Sequence, residues 1–86
     1  MTASRWQVYV LKCRDGSLYT GITTDIVKRL DAHNAGTGSR YTRSRLPVEL
    51  AYTEPAADRS SASRREAAIK SLSRDQKLLL IQCQSG

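Results

Sequence analysis

From the amino-terminal end the apolar residues alternate before they change period. Residues 6–13 (WQVYVLKC) and 17–22 (SLYTGI) are rich in β-branched and aromatic side chains and read as two strands. Arg14-Asp15-Gly16 between them fits a three-residue hairpin loop with Gly16 in the left-handed position, and a two-residue Asp15-Gly16 loop is the competing solution. The two differ by a one-residue slip, which moves side chains from one face of the sheet to the other. The three-residue loop is the expected one. It sets Tyr9 opposite Gly21 and Tyr19 opposite Leu11, so that both tyrosines project from one face.

Helical spacing follows. Thr23-Thr24-Asp25 offers N-cap oxygens to a short helix, Ile26–Asn34 (IVKRLDAHN), in which Ile26, Val27 and Leu30 can face a core. Arg29 and His33 stand four apart and share a second face. Residues 36–45 (GTGSRYTRSR) read as a polar, flexible loop carrying Arg40, Arg43 and Arg45 around Tyr41. Pro47 opens a third strand, 48–53, with Val48, Leu50 and Tyr52 on one side. After a turn over 54–58, a helix is expected at about 60–72. Ser73-Arg74-Asp75-Gln76 forms a capping box for a last helix, 74–82, whose apolar mass is Leu78, Leu79, Leu80 and Ile81. Residues 1–5 read as a polar lead-in and 83–86 as a frayed end. The order ββαβαα predicts an α+β fold, a three-stranded antiparallel sheet covered by helices. Eighty-six residues make one domain, 1–86, with its core over about 6–82.

Charge narrows the class of partner. Fourteen Lys and Arg against eight Asp and Glu give +6, and ten of the fourteen are Arg, whose planar fork matches phosphate oxygens. That balance points to a polyanion, most often nucleic acid. No apolar run approaches the ~18 residues of a membrane span and no basic segment leads into an apolar signal core, so the expected compartment is the cytoplasm, with no membrane partner. Cys13 and Cys83 lie far apart without metal-ligand spacing and read as reduced, non-catalytic thiols. There is no P-loop, dinucleotide fingerprint, HExxH or nucleophile elbow, so no small-molecule cofactor is expected, and one histidine argues against a dedicated zinc site.

The remaining polar set is dispersed: Tyr9 and Tyr19 on the hairpin, Arg29 and His33 on the first helix, Glu66 on the second. Gln7-Val8-Tyr9 and Tyr19-Thr20-Gly21, with tyrosines ten apart, resemble the paired triplets of the GIY-YIG nuclease superfamily, and Arg29, His33 and Glu66 follow at the family's offsets. The stretch 33–50 (HNAGTGSRYTRSRLPVEL) is similar to the small standalone bacterial branch. The resemblance implies a DNA endonuclease, in DNA repair or processing, that cleaves phosphodiester bonds with one Mg²⁺ or Mn²⁺. Without a recognition helix or DNA-reading domain in these 86 residues, low sequence specificity is expected. By position the resemblance makes Tyr9 the group that deprotonates the attacking water, assisted by His33. Tyr19 would bond the water or the scissile phosphate, Arg29 would meet the phosphate's developing charge, and Glu66 would hold the metal. The chain departs from the family pattern in two places. Its first triplet is Gln-Val-Tyr, and no Asn follows Glu66, where Gln76 and Lys77 are the polar residues at hand.

Elementary chemistry agrees with these roles. In-line attack on phosphorus builds negative charge that a fixed guanidinium and a Lewis-acidic cation stabilise. A tyrosine is a reluctant base, since its unperturbed pKa is about 10, and needs a nearby cation to favour the phenolate. Gly21 is expected to leave the backbone bare for a phosphate, and Arg40, Tyr41, Arg43 and Arg45 to clamp a nucleic-acid backbone. Each residue also has a plainer reading. The tyrosines can be half-covered strand aromatics, Arg29 a solvated side chain, and His33 a complement to a helix C-terminus. Ser63-Arg64-Arg65-Glu66 is itself a capping-box pattern. A helix starting at Ser63 would fold Glu66 back on its own end, whereas a start near Ser60 leaves Glu66 mid-helix and able to face the hairpin. The alternative function is a catalytically quiet nucleic-acid-binding or adaptor module, and RNA stays open as the nucleic acid. Oligomeric state is not legible.

Overall fold

The hairpin forms in the three-residue register. In the computed structural model, which describes residues 5–85, β1 (Gln7–Lys12) and β2 (Leu18–Thr23) pair antiparallel, with Tyr9 opposite Gly21 and Tyr19 opposite Leu11. Residues 1–4 of the expected lead-in, and residue 86, lie outside the described residues. Cys13 N–H donates to Ser17 O (2.8 Å) and Gly16 N–H to Cys13 O (2.9 Å), closing a loop in which Gly16 sits at φ 85°, where a side chain would be strained. β3 (Glu49–Pro55) pairs antiparallel on the other flank of β1, giving the order β2-β1-β3. The central strand is paired along both edges, and helices cover both of its faces. Val8 to Leu11 are 0–1% exposed, a burial that stabilises by about 1.5–3 kcal/mol for each large apolar side chain.

The two faces carry separate cores. On one, Val8, Val10 and Tyr52 pack with Ala62 and Ile69 of α3 (Arg59–Lys70) and with Leu80 and Ile81 of α4 (Arg74–Ser85). On the other, Tyr9, Leu11, Cys13 and Val48 pack with Ile26 and Leu30 of α1 (Ile26–Asn34). Asp25 caps α1 by accepting Lys28 N–H (3.1 Å), and Asp58 caps α3 by accepting Ser61 N–H (2.7 Å). Both cysteines are free, Cys13 buried and Cys83 exposed. Among the described residues no helix is long and apolar enough to cross a membrane.

Five expectations are corrected. The loop over 36–45 contains a one-turn helix, α2 (Arg40–Arg43), capped by the Ser39 side chain, so the order is ββααβαα. A four-residue helix with one buried side chain, Thr42, is too short to show a period. Val48 and Tyr52 face opposite cores, because Val10 pairs with Tyr52 but Leu11 with Leu50; the bulge at Ala51 reverses the alternation, and Leu50 is left 39% exposed. Val27 points to solvent, since the inward stripe of α1 runs Ile26, Leu30, His33 at helical spacing and Val27 lies a hundred degrees round. Of the α4 apolar mass, Leu80 and Ile81 reach the core, while Leu78 and Leu79 remain exposed. α4 itself continues to Ser85, through residues 83–85 of the expected frayed end.

Candidate active site

The β1–α1 face brings four of the five dispersed residues together. Tyr9 leaves β1 toward α1 and Tyr19 leaves β2 beside it, their rings 6.4 Å apart. Arg29 and His33, one turn apart on α1, both reach the Tyr9 hydroxyl. Arg29 Nε donates to Tyr9 Oη (3.3 Å), and His33 Nε2 lies 3.1 Å from the same oxygen. The guanidinium also donates to the Gly38 carbonyl (3.3 Å) and interacts with Tyr19. The His33 ring stands edge-on to Tyr19 at 5.2 Å. Tyr9 is 1% and His33 0% exposed, whereas Arg29 and Tyr19 are half-buried, so the latter two are the members of the group open to solvent.

Two glycines make this closeness possible. A Cβ on Gly21 would stand 2.5 Å from Tyr9 Oη and 2.6 Å from its ring carbon Cζ. The bare backbone expected to receive a phosphate therefore receives the Tyr9 phenol. A Cβ on Gly38 would collide with the His33 ring and backbone. His33 Nδ1 lies 2.8 Å from Thr42 Oγ1, and Thr42 is fixed by Ser39, whose Oγ accepts Thr42 N–H at 3.2 Å. Sequence reasoning passed over Gly38, Ser39 and Thr42. The available signal was Ser39 three residues before Thr42, an N-cap spacing inside a stretch read as loop. Asn34 was also passed over. Its side chain pairs with both backbone groups of Val48, donating at 3.1 Å and accepting at 2.8 Å, and so ties the start of β3 to the end of α1.

Glu66 is carried by the helix on the reverse face. It lies mid-helix, with the N-cap at Asp58 rather than at Ser63, and its side chain is 24% exposed. Its partner is Lys70 Nζ at 3.4 Å. Helix α3 lies chiefly over β2, the edge strand, and a groove of about 260 Å³ follows that edge. Tyr19 and Tyr41 line the groove from one face, Lys70 and Lys77 from the other, so the residue holding Glu66 borders the same space as Tyr19. The Glu66 charge acts on Tyr9. Of the two polar residues downstream, Gln76 is committed to the α4 cap, accepting Ser73 N–H at 2.9 Å, while Lys77 opens onto the groove. Among the described residues no cluster of three or more His, Cys, Asp or Glu could hold a metal.

The basic loop divides. Arg40 and Arg43 are exposed on α2. Arg45 is committed elsewhere, donating to Asp15 (3.1 Å) and to the Tyr41 carbonyl (2.8 Å) and lying 4.0 Å over the Tyr41 ring. Tyr41 stacks in turn at 5.9 Å on Tyr19, so Arg45 buttresses an aromatic wall.

Burial sets the protonation states. It pushes the Tyr9 phenol above 10.0 and outweighs the opposing hydrogen bond and charge of Arg29; the charges of Tyr19 and Glu66 add to the rise. His33 is held below its ordinary 6.5, by burial first and then by Arg29. An unfolded chain thus binds a proton near pH 6.5 that the folded chain refuses, and stability falls as pH drops through and below 6.5. Above pH 10.0 the folded chain keeps a phenolic proton that the unfolded chain releases, so stability falls there too. The denaturant midpoint is expected to decrease between about pH 7.5 and about pH 5, and His33→Gln to abolish that slope. An identical slope in the variant would show that His33 is not its source.

These features define a known class. The description "GIY-YIG catalytic domain" matches residues 5–78, and the chain belongs to that family. Within it the chain belongs to the UPF0213 group. UPF0213 protein DP2720 of Desulfotalea psychrophila is 56% identical over 77 residues, covering 88% of this chain and 70% of that protein. UPF0213 protein VNG_2274C of Halobacterium salinarum is 56% identical over 70 residues, covering 81% and 91%, so the group spans bacteria and archaea. Among solved structures, the solution NMR structure of EF2693 from E. faecalis is 42% identical with a TM-score of 0.64, covering 99% of this chain and 92% of that one. That of UPF0213 protein BH0048 from Bacillus halodurans, also 42% identical, has a TM-score of 0.61 and covers 94% and 86%.

Proposed function

We propose that the chain is a metal-dependent DNA endonuclease that hydrolyses phosphodiester bonds with low sequence specificity. The observation that carries this reading is the hydrogen-bonded Arg29–Tyr9–His33 group, set behind a half-buried Tyr19 on a strongly basic protein. Arg29 is always charged, and its fork can leave Tyr9 and Tyr19 for phosphate oxygens as negative charge grows. Tyr19 orients the attacking water or the phosphate from the open side. Tyr9, neutral at pH 7, accepts the water's proton while passing its own to His33 Nε2. A phenol that is itself a poor base works in this way through a neutral imidazole.

The donor set fits a hard divalent ion completed by substrate. Glu66 supplies one partly buried carboxylate, paired with a lysine that lines the groove, and Mg²⁺ or Mn²⁺ held by one carboxylate keeps its other positions for water and phosphate oxygens. When bound, the ion supplies Lewis-acid stabilisation of the leaving 3′ oxygen. Arg40 and Arg43, with Lys70 and Lys77 along the groove, hold the backbone, so affinity should fall steeply with salt. A quiet binding module of the same fold is the second reading, favoured by the ion pair that occupies Glu66.

The test is cleavage of branched, single-stranded and duplex DNA, with an RNA arm, in Mg²⁺ or Mn²⁺. Wild type is expected to cut, and Glu66→Ala to lose about 100-fold or more while still binding. Unchanged cutting by Glu66→Ala would defeat the enzymatic reading. Salt-sensitive binding by wild type without any cutting would establish the quiet module.

A further inference from the structure

We infer that Thr42, seated by Ser39, is a positioning residue that holds His33 in the one tautomer able to receive a proton from Tyr9. The buried chain of hydrogen bonds from Arg29 to Ser39 fixes where each proton sits. Arg29 Nε can only donate, so Tyr9 Oη accepts there. The Tyr9 hydroxyl carries one proton of its own, the residue is 1% exposed, and the other partner of its oxygen is His33 Nε2 at 3.1 Å. Were Nε2 to carry a hydrogen, Tyr9 Oη would face two donors, and its own proton would be buried without an acceptor, which a folded protein avoids. The hydrogen of the neutral ring therefore sits on Nδ1. That atom lies 2.8 Å from Thr42 Oγ1, a hydroxyl on a residue 0% exposed. Thr42 in turn has an outlet for its own proton, with Ser39 Oγ at 3.1 Å and Ser39 O at 3.4 Å. Every proton in the chain then has an acceptor, and only this direction satisfies all of them.

The consequence for α2 is specific. Its single buried side chain is Thr42, and the Ser39 cap that starts this short helix is also the end of the proton chain. The titratable groups facing the ring are Tyr9 from β1, Tyr19 from β2 and Arg29 from α1, and the hydrogen-bond partner of Nδ1 is Thr42. The role in reaction rests on the nuclease reading. As water attacks phosphorus, its O–H bond breaks and a proton passes to Tyr9 Oη; the Tyr9 O–H bond breaks as the Nε2–H bond forms, His33 becomes imidazolium, and the proton later returns through Tyr9 to solvent. With the opposite tautomer Nε2 is already protonated and the transfer is blocked.

The chain holds one histidine, so the two ring nitrogens give an isolated signal in a two-bond ¹H–¹⁵N spectrum. Wild type is expected to show a protonated Nδ1 and a bare Nε2. Thr42→Val keeps the shape but removes the acceptor, and should lose that pattern; Thr42→Ser should restore it. In cleavage, Thr42→Val is expected to lower kcat about 10- to 100-fold with KM unchanged, and Thr42→Ser to recover it. A wild-type spectrum with hydrogen on Nε2 overturns the inference even if Thr42→Val does not fold. So does a Thr42→Val protein whose tautomer and kcat match wild type. A fixed Nδ1–H tautomer in a wild type that cuts nothing would retain the tautomer assignment and sink the nuclease reading instead, so the two failures are separable.

Discussion

Phenylalanine at position 9 is expected to leave the fold in place and to lower cleavage by about 10²- to 10⁴-fold, the span that a positioned proton acceptor contributes. The ring is 1% exposed and packs with Leu11, Cys13 and Val48, and phenylalanine keeps those contacts. What it removes is the oxygen on which Arg29 and His33 converge. The buried His33 and the half-buried Arg29 then lose a partner, so a destabilisation of about 1–3 kcal/mol should accompany the catalytic loss. The two effects are told apart by measuring kcat well below the unfolding midpoint, where the variant is fully folded. A variant that cuts within a few-fold of wild type would show that the phenol is a structural strut and that water is activated elsewhere.

Why this oxygen was legible in the sequence, and its surroundings less so, has a physical basis. The register of the hairpin follows from one loop, because Gly16 can take a positive φ and the alternation of strand side chains does the rest; that alone puts Tyr9 opposite Gly21 and Tyr19 opposite Leu11. The spacing of Arg29 and His33 on α1 is likewise a local property of a helix. Non-local features left no such trace. The bulge at Ala51, which sends Val48 and Tyr52 to different cores, is set by how β3 meets β1 and has no marker within β3. Helix α2 is polar, four residues long and held by a cap whose purpose appears only once His33 is seen against it. Glu66 could be placed mid-helix or at a cap by the same four letters, and the choice fell to Asp58, which took the N-cap first. Its position behind the sheet edge follows from α3 crossing β2, again a tertiary fact.

Alanine at Gly21 is expected to disable the same oxygen without touching its chemistry. The new methyl would stand 2.5 Å from Tyr9 Oη, inside any permitted contact, and the neighbour that must yield is a ring buried on all sides. Pushing that ring aside costs about 1–3 kcal/mol, as overpacking of a filled core does. It also carries the hydroxyl away from Arg29 Nε and His33 Nε2, whose reach is already 3.3 and 3.1 Å. Gly21→Ala should therefore lose cleavage to a degree comparable with Tyr9→Phe. The decisive measurement is the pair together. If both changes act on one hydroxyl, the double variant is no slower than Tyr9→Phe alone, a large departure from additivity of the kind that residues in contact show. Losses that multiply would assign Gly21 a separate duty, as bare backbone against the phosphate, and would detach it from Tyr9.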